Sequence, residues 1–180
     1  MSLRFAVEPF ATCWAEVDAL ARQHWTETEE SRHGKYNPDW KRYFAGDEAG
    51  WHFMCTARPN DPCSMNHRMV GYGGMWAMPS MHTQKMIANE DTFFLLPAYR
   101  KGWNAIRFLK FIESECQRRG VVEINWTDIK GNGALLEHMG YSVVAEQWSK
   151  KVEVKGGADS THAKPAVEAV NVQPEHTAAA

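Results

Sequence analysis

Residues 93–120, FFLLPAYRKGWNAIRFLKFIESECQRRG, carry most of the information about the fold. The apolar run at the start ends at Pro97, which cannot donate a backbone hydrogen bond to a sheet and therefore closes a strand. After a short basic turn, apolar residues recur at helical spacing until Gly120, a residue that favours a helix end. The apolar positions of this helix are Ala105, Phe108, Leu109, Ile112 and Cys116. The stretch predicts a strand, a turn and an amphipathic helix.

The turn Arg100-Lys101-Gly102 predicts a site for an anion. The first N–H groups of a helix have no acceptor within the helix, and the helix dipole favours negative charge there. Gly102 has no Cβ, so the backbone can approach a ligand closely. A phosphate group is the ligand that this arrangement favours. The alternative is an ordinary basic helix start in a strand–helix unit.

The composition is typical of one globular domain. The chain has 180 residues, of which 44% are hydrophobic, and its formal net charge is −2. This length supports one sizeable core. The small net charge gives no overall attraction to nucleic acid or to an anionic membrane, so contact with a polyanion would need a local basic patch.

The cysteines and the chain ends indicate the compartment and the domain boundary. The 4 cysteines form no CxxC pair, and no apolar run has the length of a signal segment or a membrane span. We therefore expect a cytoplasmic protein without a membrane contact. From Lys155 onward no aromatic residue occurs, which predicts a disordered tail over 155–180 after a folded domain over 1–154.

Hydrophobic periodicity predicts the element order β-α-α-β-β-β-α-β-α-β. The strand after the amphipathic helix, 121–126, is expected to lie parallel to the strand before that helix. Asn37 is the predicted cap of the helix over 38–44. The strands are residues 3–7, 51–58, 68–78, 85–96, 121–126 and 141–148, and the other helices are 12–25 and 131–139. The fold class is α/β (α+β), with a mixed, mostly antiparallel twisted sheet flanked by helices.

The segment 95–105, LLPAYRKGWNA, resembles the acetyl-CoA-binding motif of the Gcn5-related N-acetyltransferases. In that family a strand, an Arg/Gln-x-x-Gly-x-Gly/Ala loop and a helix bind the pyrophosphate of coenzyme A. The segment 135–141, LLEHMGY, is similar to the closing helix of the family and to the start of its last strand. The resemblance covers residues 3–152. It implies the fold of the family and acetyl-CoA as co-substrate, with no metal.

The chain looks most similar to the acetyltransferase-like group of tailed bacteriophages. The shared features are a Val-Gly-Tyr strand at Val70, a histidine soon after it, His82, and an acidic residue before the apolar run, Asp91. A Pro-x-x-Arg pattern begins at Pro97. If a phage encodes the protein, the resemblance implies that it acts in the cytoplasm of the host.

The resemblance implies a coenzyme site at the strand end and the turn. Main-chain N–H groups of the turn would bind the diphosphate, the backbone of Leu95 and Leu96 would pair with the pantetheine arm, and the neighbouring strands would splay apart at a bulge. Trp103 would cover the adenine or pack against the protein. The predicted coenzyme-binding residues are Leu95, Leu96, Arg100, Lys101, Gly102, Trp103, Asn104 and Ala105.

Asp91 is the first candidate for the residue that binds the acceptor amine or takes its proton, because direct acetyl transfer needs a neutral amine. Strand alternation places Asp91 on the same face as Phe93 and Leu95, with Glu90 on the other face. Because Leu95 is expected to contact the pantetheine, Asp91 should face the same cleft. A surface carboxylate without a role is the alternative.

His24 and His82 are the further catalytic candidates. His24 lies on the apolar face of the first helix, where a histidine is more often structural, and His82 lies in the turn before the strand that holds Asp91. Convergence of the three on a metal is an alternative without support from HxxxH or HxH spacing. Leu136 stands four residues before Gly140, where many members of the family have a tyrosine as general acid, so no proton donor is predicted.

The sequence thus predicts an acetyl-CoA-dependent N-acyltransferase in which an acceptor amine attacks the thioester directly. One alternative is a catalytically silent protein of the same fold with a structural or host-interaction role in a phage. A second is a DNA-modifying or DNA-associated transferase, suggested by the basic cluster Arg100, Lys101, Arg107 and Lys110. The resemblance also allows a homodimer, since members of the family often pair through sheet edges or the last strand.

Overall fold

The computed structural model describes residues 2–60, 68–127 and 133–145. These residues form one sheet of 5 strands in the order β1-β2-β3-β4-β5. Strands β1 to β4 pair antiparallel with their neighbours, and β5 pairs parallel with β4. The strands are β1 Leu3–Glu8, β2 His52–Pro59, β3 Gly71–Pro79, β4 Met86–Leu95 and β5 Glu123–Asn125. The predicted mixed, mostly antiparallel sheet and the parallel last pair are confirmed.

Helices cover both faces of this sheet. Between β1 and β2 the chain forms three helices, and the amphipathic helix predicted from the sequence lies between β4 and β5, after a short 3-10 helix that begins at Pro97. The helices are α1 Phe10–Thr28, α2 Glu30–His33, α3 Trp40–Glu48, α4 Asn104–Arg118 and α5 Gly133–His138. Within the described residues, no helix combines the length and the apolar character that crossing a membrane requires.

Two clusters of buried side chains lie on opposite faces of the sheet. Successive strand residues point to opposite faces, so that on β3 Tyr72 belongs to the cluster under α1 and Met75 to the cluster under α4. From α1 the first cluster takes Phe10, Cys13, Val17 and Ala21, and from α4 the second takes Phe108, Ile112 and Cys116. The sheet is therefore the middle of three layers.

The cap of α3 differs from the sequence prediction. The helix begins at Trp40, and Asp39 rather than Asn37 caps it by accepting a hydrogen bond from the N–H of Arg42 at 3.4 Å. Pro38 therefore precedes the cap instead of taking the first helical position. Two acceptor side chains of similar capping preference stand on either side of this proline, and sequence reasoning took the wrong one.

The last predicted strand, 141–148, is absent over residues 141–145, which have no regular secondary structure. The rest of that segment lies outside the described residues. Contacts between Cα atoms group the chain into a compact unit from Met1 to Ser142 and a second unit from Val143 onward. The predicted domain end at 154 and the tail over 155–180 also lie outside the described residues and stay predictions.

Candidate functional site

A gap opens between β4 and β5. The two strands pair only at Ile87, Ala88 and Asn89 of β4, opposite Glu123–Asn125. Strand β4 continues to Leu95, and in the described part of the chain no further ladder pair covers that edge. Residues 90–95 of β4 therefore have an edge without a ladder partner in the described residues, as the resemblance implies for the strand that binds a pantetheine arm.

A β-bulge lies where this gap begins. Gly74 of β3 pairs with Thr92 and Met75 pairs with Glu90, so Asp91 is an extra residue in β4. An extra residue reverses the alternation of side chains beyond it. The predicted common face of Asp91, Phe93 and Leu95 is therefore wrong.

The contacts of these residues agree with the bulge. Phe93 and Leu95 belong to the α4 side, whereas the Asp91 carboxylate reaches α3 on the α1 side of the sheet. Oδ2 of Asp91 accepts a hydrogen bond from the Tyr43 hydroxyl at 2.8 Å. Asp91 thus faces the helices before β2, and Tyr43 is a residue of this site that sequence reasoning missed. No local signal in the sequence joins two residues 48 positions apart.

The electrostatics at Asp91 combine opposing effects. Although Asp91 keeps a solvent-exposed surface, the protein atoms packed around its carboxyl raise its pKa above the ordinary value. The side chains of Tyr43 and Trp76 and the positive charge of Arg42 act in the opposite direction. A raised pKa makes a carboxylate a stronger base, which suits it to take a proton from an amine.

Glu90 is a second carboxyl at the start of the gap. It is half-buried, and its Oε2 accepts a hydrogen bond from the N–H of Thr127 at 3.4 Å, just beyond β5. Burial raises the pKa of Glu90 to about 7, and the hydrogen bond from Thr127 lowers it by less. The sequence shows the adjacent acids Glu90 and Asp91, but strand alternation predicts a role for Asp91 alone, because it places Glu90 on the other face.

The turn before α4 leaves main-chain N–H groups available. The N–H groups of Tyr99 and Arg100 donate to the carbonyls of Leu96 and Pro97, and the N–H of Arg107 donates to Trp103. In the described structure the N–H groups of residues 101–106 donate to no protein acceptor.

Gly102 shapes this turn. Its φ is +72°, a conformation that other residues rarely adopt, and a Cβ added there would meet no atom within 4 Å. The turn is therefore open above Gly102, and its shape depends on a glycine at that position.

Arg100 does not point freely into the turn. Its guanidinium binds the carboxylate of Glu27 on α1 through two hydrogen bonds of 2.6 and 2.7 Å, and its Nε donates to the carbonyl of Leu95 at 2.7 Å. The guanidinium also lies over the ring of Phe94, 5.1 Å from its centroid. Among the predicted coenzyme residues, Arg100, Lys101 and Trp103 are exposed in the turn, with 67% of Trp103 accessible.

Three of the four backbone groups predicted to contact the pantetheine already have protein partners. The N–H of Leu96 donates to Val70, the carbonyl of Leu96 accepts from Tyr99, and the carbonyl of Leu95 accepts from Arg100. Alternate residues of an antiparallel strand direct their backbone groups to opposite edges. Because the Leu96 N–H points to β3, the N–H of Leu95 points to the open edge.

His24 and His82 lie away from Asp91. Nδ1 of His24 is 2.9 Å from the Tyr72 hydroxyl, and its ring stacks on Phe94 with centroids 4.8 Å apart. Phe94 is three residues beyond Asp91, or about 10 Å along the strand. His82 is exposed in the turn between β3 and β4, beyond the other end of β4. The described residues contain no group of three or more His, Cys, Asp or Glu side chains that could hold a metal.

A cavity of about 1020 Å³ lies on the α1 side, next to the ends of β2 and β3. Its walls include Leu20, Met69, Leu96 and Tyr99, but neither acidic residue of the gap. The two acids at the bulge are therefore not part of this cavity.

Comparison with known proteins identifies the fold. No family model matches the sequence, and no curated protein matches it. Solved structures do match. Glucosamine-6-phosphate N-acetyltransferase from Arabidopsis thaliana has a TM-score of 0.64 at 11% identity, over 85% of this chain and 100% of that chain. A predicted acetyltransferase of Clostridium acetobutylicum, solved with acetyl-CoA, has a TM-score of 0.62 at 14% identity, over 83% and 96%.

An aminoglycoside acetyltransferase from an uncultured soil metagenomic sample also matches, with a TM-score of 0.61 at 14% identity, over 86% of this chain and 99% of that chain. These matches span the known domains almost completely, although few residues are identical. The resemblance to phage proteins is not among these findings and stays a prediction. The fold expected from the resemblance is confirmed: the chain has the architecture of the Gcn5-related N-acetyltransferases.

Proposed function

We propose that the protein is an acetyl-CoA-dependent N-acetyltransferase. The observation that carries this proposal is the gap between β4 and β5, which leads from the two acids at the bulge to the open turn before α4. A thioester on an extended arm needs a slot between strands, and a diphosphate needs unpaired N–H groups at a helix start. The unpaired edge of β4 and the unpaired N–H groups of the turn that follows it support both requirements.

On the coenzyme side, the N–H groups of residues 101–106 would bind the diphosphate, with Lys101 adding positive charge. The N–H of Leu95 at the open edge would donate to the pantetheine arm. The exposed ring of Trp103 stands beside the turn and would cover the adenine. Arg100, bound to Glu27, would hold α1 against the turn and add positive charge on the α1 side of the turn.

On the acceptor side, an amine would enter from the direction of α3 and contact Asp91. In direct transfer, the amine nitrogen forms a bond to the thioester carbonyl carbon, the carbon–sulfur bond breaks, and the amine loses a proton to a carboxylate. Asp91 is the proposed acceptor of that proton, and Glu90 is the second carboxyl within the gap. The enzyme would contribute positioning and a place for the proton, with no covalent intermediate.

The experiment is a titration of the full chain with acetyl-CoA by calorimetry, followed by an assay of thiol release with a panel of primary amines. Saturable heat together with amine-dependent release of coenzyme A would support the proposal. Saturable heat with no release for any amine would favour the silent protein of the same fold. If acetyl-CoA did not bind, the proposed coenzyme site would be wrong.

The DNA-associated alternative has less support. Its basic cluster includes Arg100, whose guanidinium is bound to Glu27, and cations at a helix start serve coenzyme phosphates as well as they serve DNA. If the protein were retained on a DNA column and the retention weakened with added salt, the DNA-associated alternative would be supported.

A further inference from the structure

His52 is a buried histidine whose ring nitrogens have no partner in the described protein. The side chain is 1% exposed, and neither Nδ1 nor Nε2 forms a hydrogen bond there. The hydroxyl of Thr92, beside the bulge, is also buried without a partner. Buried polar atoms of this kind lower stability unless a water or a ligand satisfies them, so two of them close together indicate a bound molecule.

The two residues meet at Gly74, opposite the bulge. A Cβ placed on Gly74 would lie 3.1 Å from Nε2 of His52, 3.3 Å from Oγ1 of Thr92 and 3.5 Å from Oδ2 of Asp91. The absence of a side chain at Gly74 therefore lets three polar atoms converge. One water molecule can bridge polar atoms about 5 to 6 Å apart. Three atoms that each lie 3.1 to 3.5 Å from one point can have such separations.

Aromatic rings hold the imidazole in place. Its centroid lies 4.9 Å from that of Trp76, 5.2 Å from that of Tyr43 and 6.0 Å from that of Phe10. A phenylalanine would fill the same space without leaving two nitrogens unpaired. The packing alone thus does not account for a histidine at this position.

The charged and titratable groups around His52 come from two elements. Strand β4 contributes Asp91, which lies across the space at Gly74, and α3 contributes Tyr43, which packs on the ring, and Arg42, which lies over the neighbouring ring of Trp76. Burial lowers the pKa of His52 to about 4. At neutral pH the ring is therefore uncharged, with one nitrogen that donates and one that accepts.

We propose that His52 is a positioning residue for Asp91 in the acetyl-transfer site. Its Nε2–H and the hydroxyl of Thr92 bind one water molecule, and that water donates a hydrogen bond to the Asp91 carboxylate. The inference rests on the proposed function for its catalytic meaning, but the water-linked contact itself does not. A hydrogen bond donated to the carboxylate favours its ionised form and fixes its direction.

The kinetic test compares His52→Phe with His52→Gln. The phenylalanine keeps the aromatic packing and removes the hydrogen bond, whereas the glutamine keeps a donor. We expect His52→Phe to lower kcat by about tenfold and to move the acid limb of the pH profile upward by about one unit, with the affinity for acetyl-CoA unchanged. His52→Gln should restore most of the rate. An unaltered pH profile in His52→Phe, or equal losses in both variants, would overturn the proposal.

A second measurement needs no acceptor. Imidazole nitrogen shifts of the ¹⁵N-labelled full chain report whether His52 is hydrogen-bonded, and Thr92→Val removes one partner of the water while Thr92→Ser keeps it. We expect the His52 shifts to change in Thr92→Val and to return in Thr92→Ser. Identical shifts in the valine variant and the wild type would disprove the contact, even if the protein binds acetyl-CoA. If the His52 shifts changed in Thr92→Val but the protein bound no acetyl-CoA, the water-linked contact would be supported and the proposed function would be contradicted.

Discussion

The two sides of the gap between β4 and β5 are built differently. The coenzyme side, residues 95–106, is one continuous stretch whose available groups are main-chain N–H groups. The acceptor side, which comprises Tyr43, His52, Trp76 and Asp91, joins side chains from α3, β2, β3 and β4. A site made of backbone is sensitive to the conformation of a few residues, whereas a site made of side chains is sensitive to the identity of each one.

The largest expected effect tests the coenzyme side. Gly102→Val should weaken acetyl-CoA binding by about 100-fold or more, because a β-branched residue is strained at positive φ and stands beside the N–H groups of the turn. Gly50→Val is the matched control. Gly50 has a φ of +74° and, like Gly102, no atom within 4 Å of an added Cβ, but it lies between α3 and β2.

Both substitutions should lower the unfolding free energy by a similar amount, about 1–3 kcal/mol, because the backbone strain is the same. Calorimetric titration and chemical denaturation of the two variants measure the two effects separately. If Gly102→Val bound acetyl-CoA as the wild type does, the turn would not be the diphosphate site. If Gly50→Val lost binding equally, the loss would reflect the fold and not the turn.

The same contrast explains what the sequence could predict. The strand, the turn and α4 follow from local signals, namely Pro97, Gly102 and the helical spacing of apolar residues. The parallel placement of β5 follows from the helical crossover that connects it to β4. The bulge at Asp91 depends on the pairing of β4 with β3, so a residue-by-residue alternation along one strand could not predict it. The contact with Tyr43 depends on where α3 packs, and no periodicity encodes that.

The next effect tests the acceptor side. Asp91→Asn should lower kcat by about 100-fold, because the amide cannot take the proton of the amine, while the affinity for acetyl-CoA stays within about twofold. Glu90→Gln is the companion variant, because it removes the neighbouring carboxyl at the edge that contacts Thr127. Steady-state rates of both variants measure the effect on kcat, and coenzyme titrations measure the effect on the affinity for acetyl-CoA.

Glu90→Gln should reduce kcat by about tenfold at most, and it should also remove any inflection of the pH profile near the pKa of about 7 that burial gives Glu90. The activity carried by an ionised base increases as pH rises through its pKa. A larger loss of kcat in Glu90→Gln than in Asp91→Asn would identify Glu90 as the proton acceptor. Equal and small losses in both would favour water as the acceptor.

A smaller effect is expected at Tyr43. Its hydroxyl donates to Asp91 and so lowers the pKa of that carboxyl against the effect of burial. Tyr43→Phe should therefore move the acid limb of kcat/KM to higher pH and lower the rate near neutrality by about fivefold. Tyr36→Phe is the control, because Tyr36 and Tyr43 both pack on Trp40. We expect its pH profile of kcat/KM to be unchanged. A shift in both variants would assign the effect to packing around Trp40.

The smallest expected effect concerns Arg100, a residue of the coenzyme side that joins the turn to α1. If its guanidinium acts mainly by binding Glu27, Arg100→Gln and Glu27→Gln should each weaken acetyl-CoA binding by only about two- to threefold, and the double variant should lose no more. A partly exposed ion pair contributes little, and its two halves are lost together. A much larger loss in Arg100→Gln than in Glu27→Gln would mean that Arg100 leaves Glu27 to bind a phosphate. The charge of that side chain, and not only the backbone of the turn, would then hold the coenzyme.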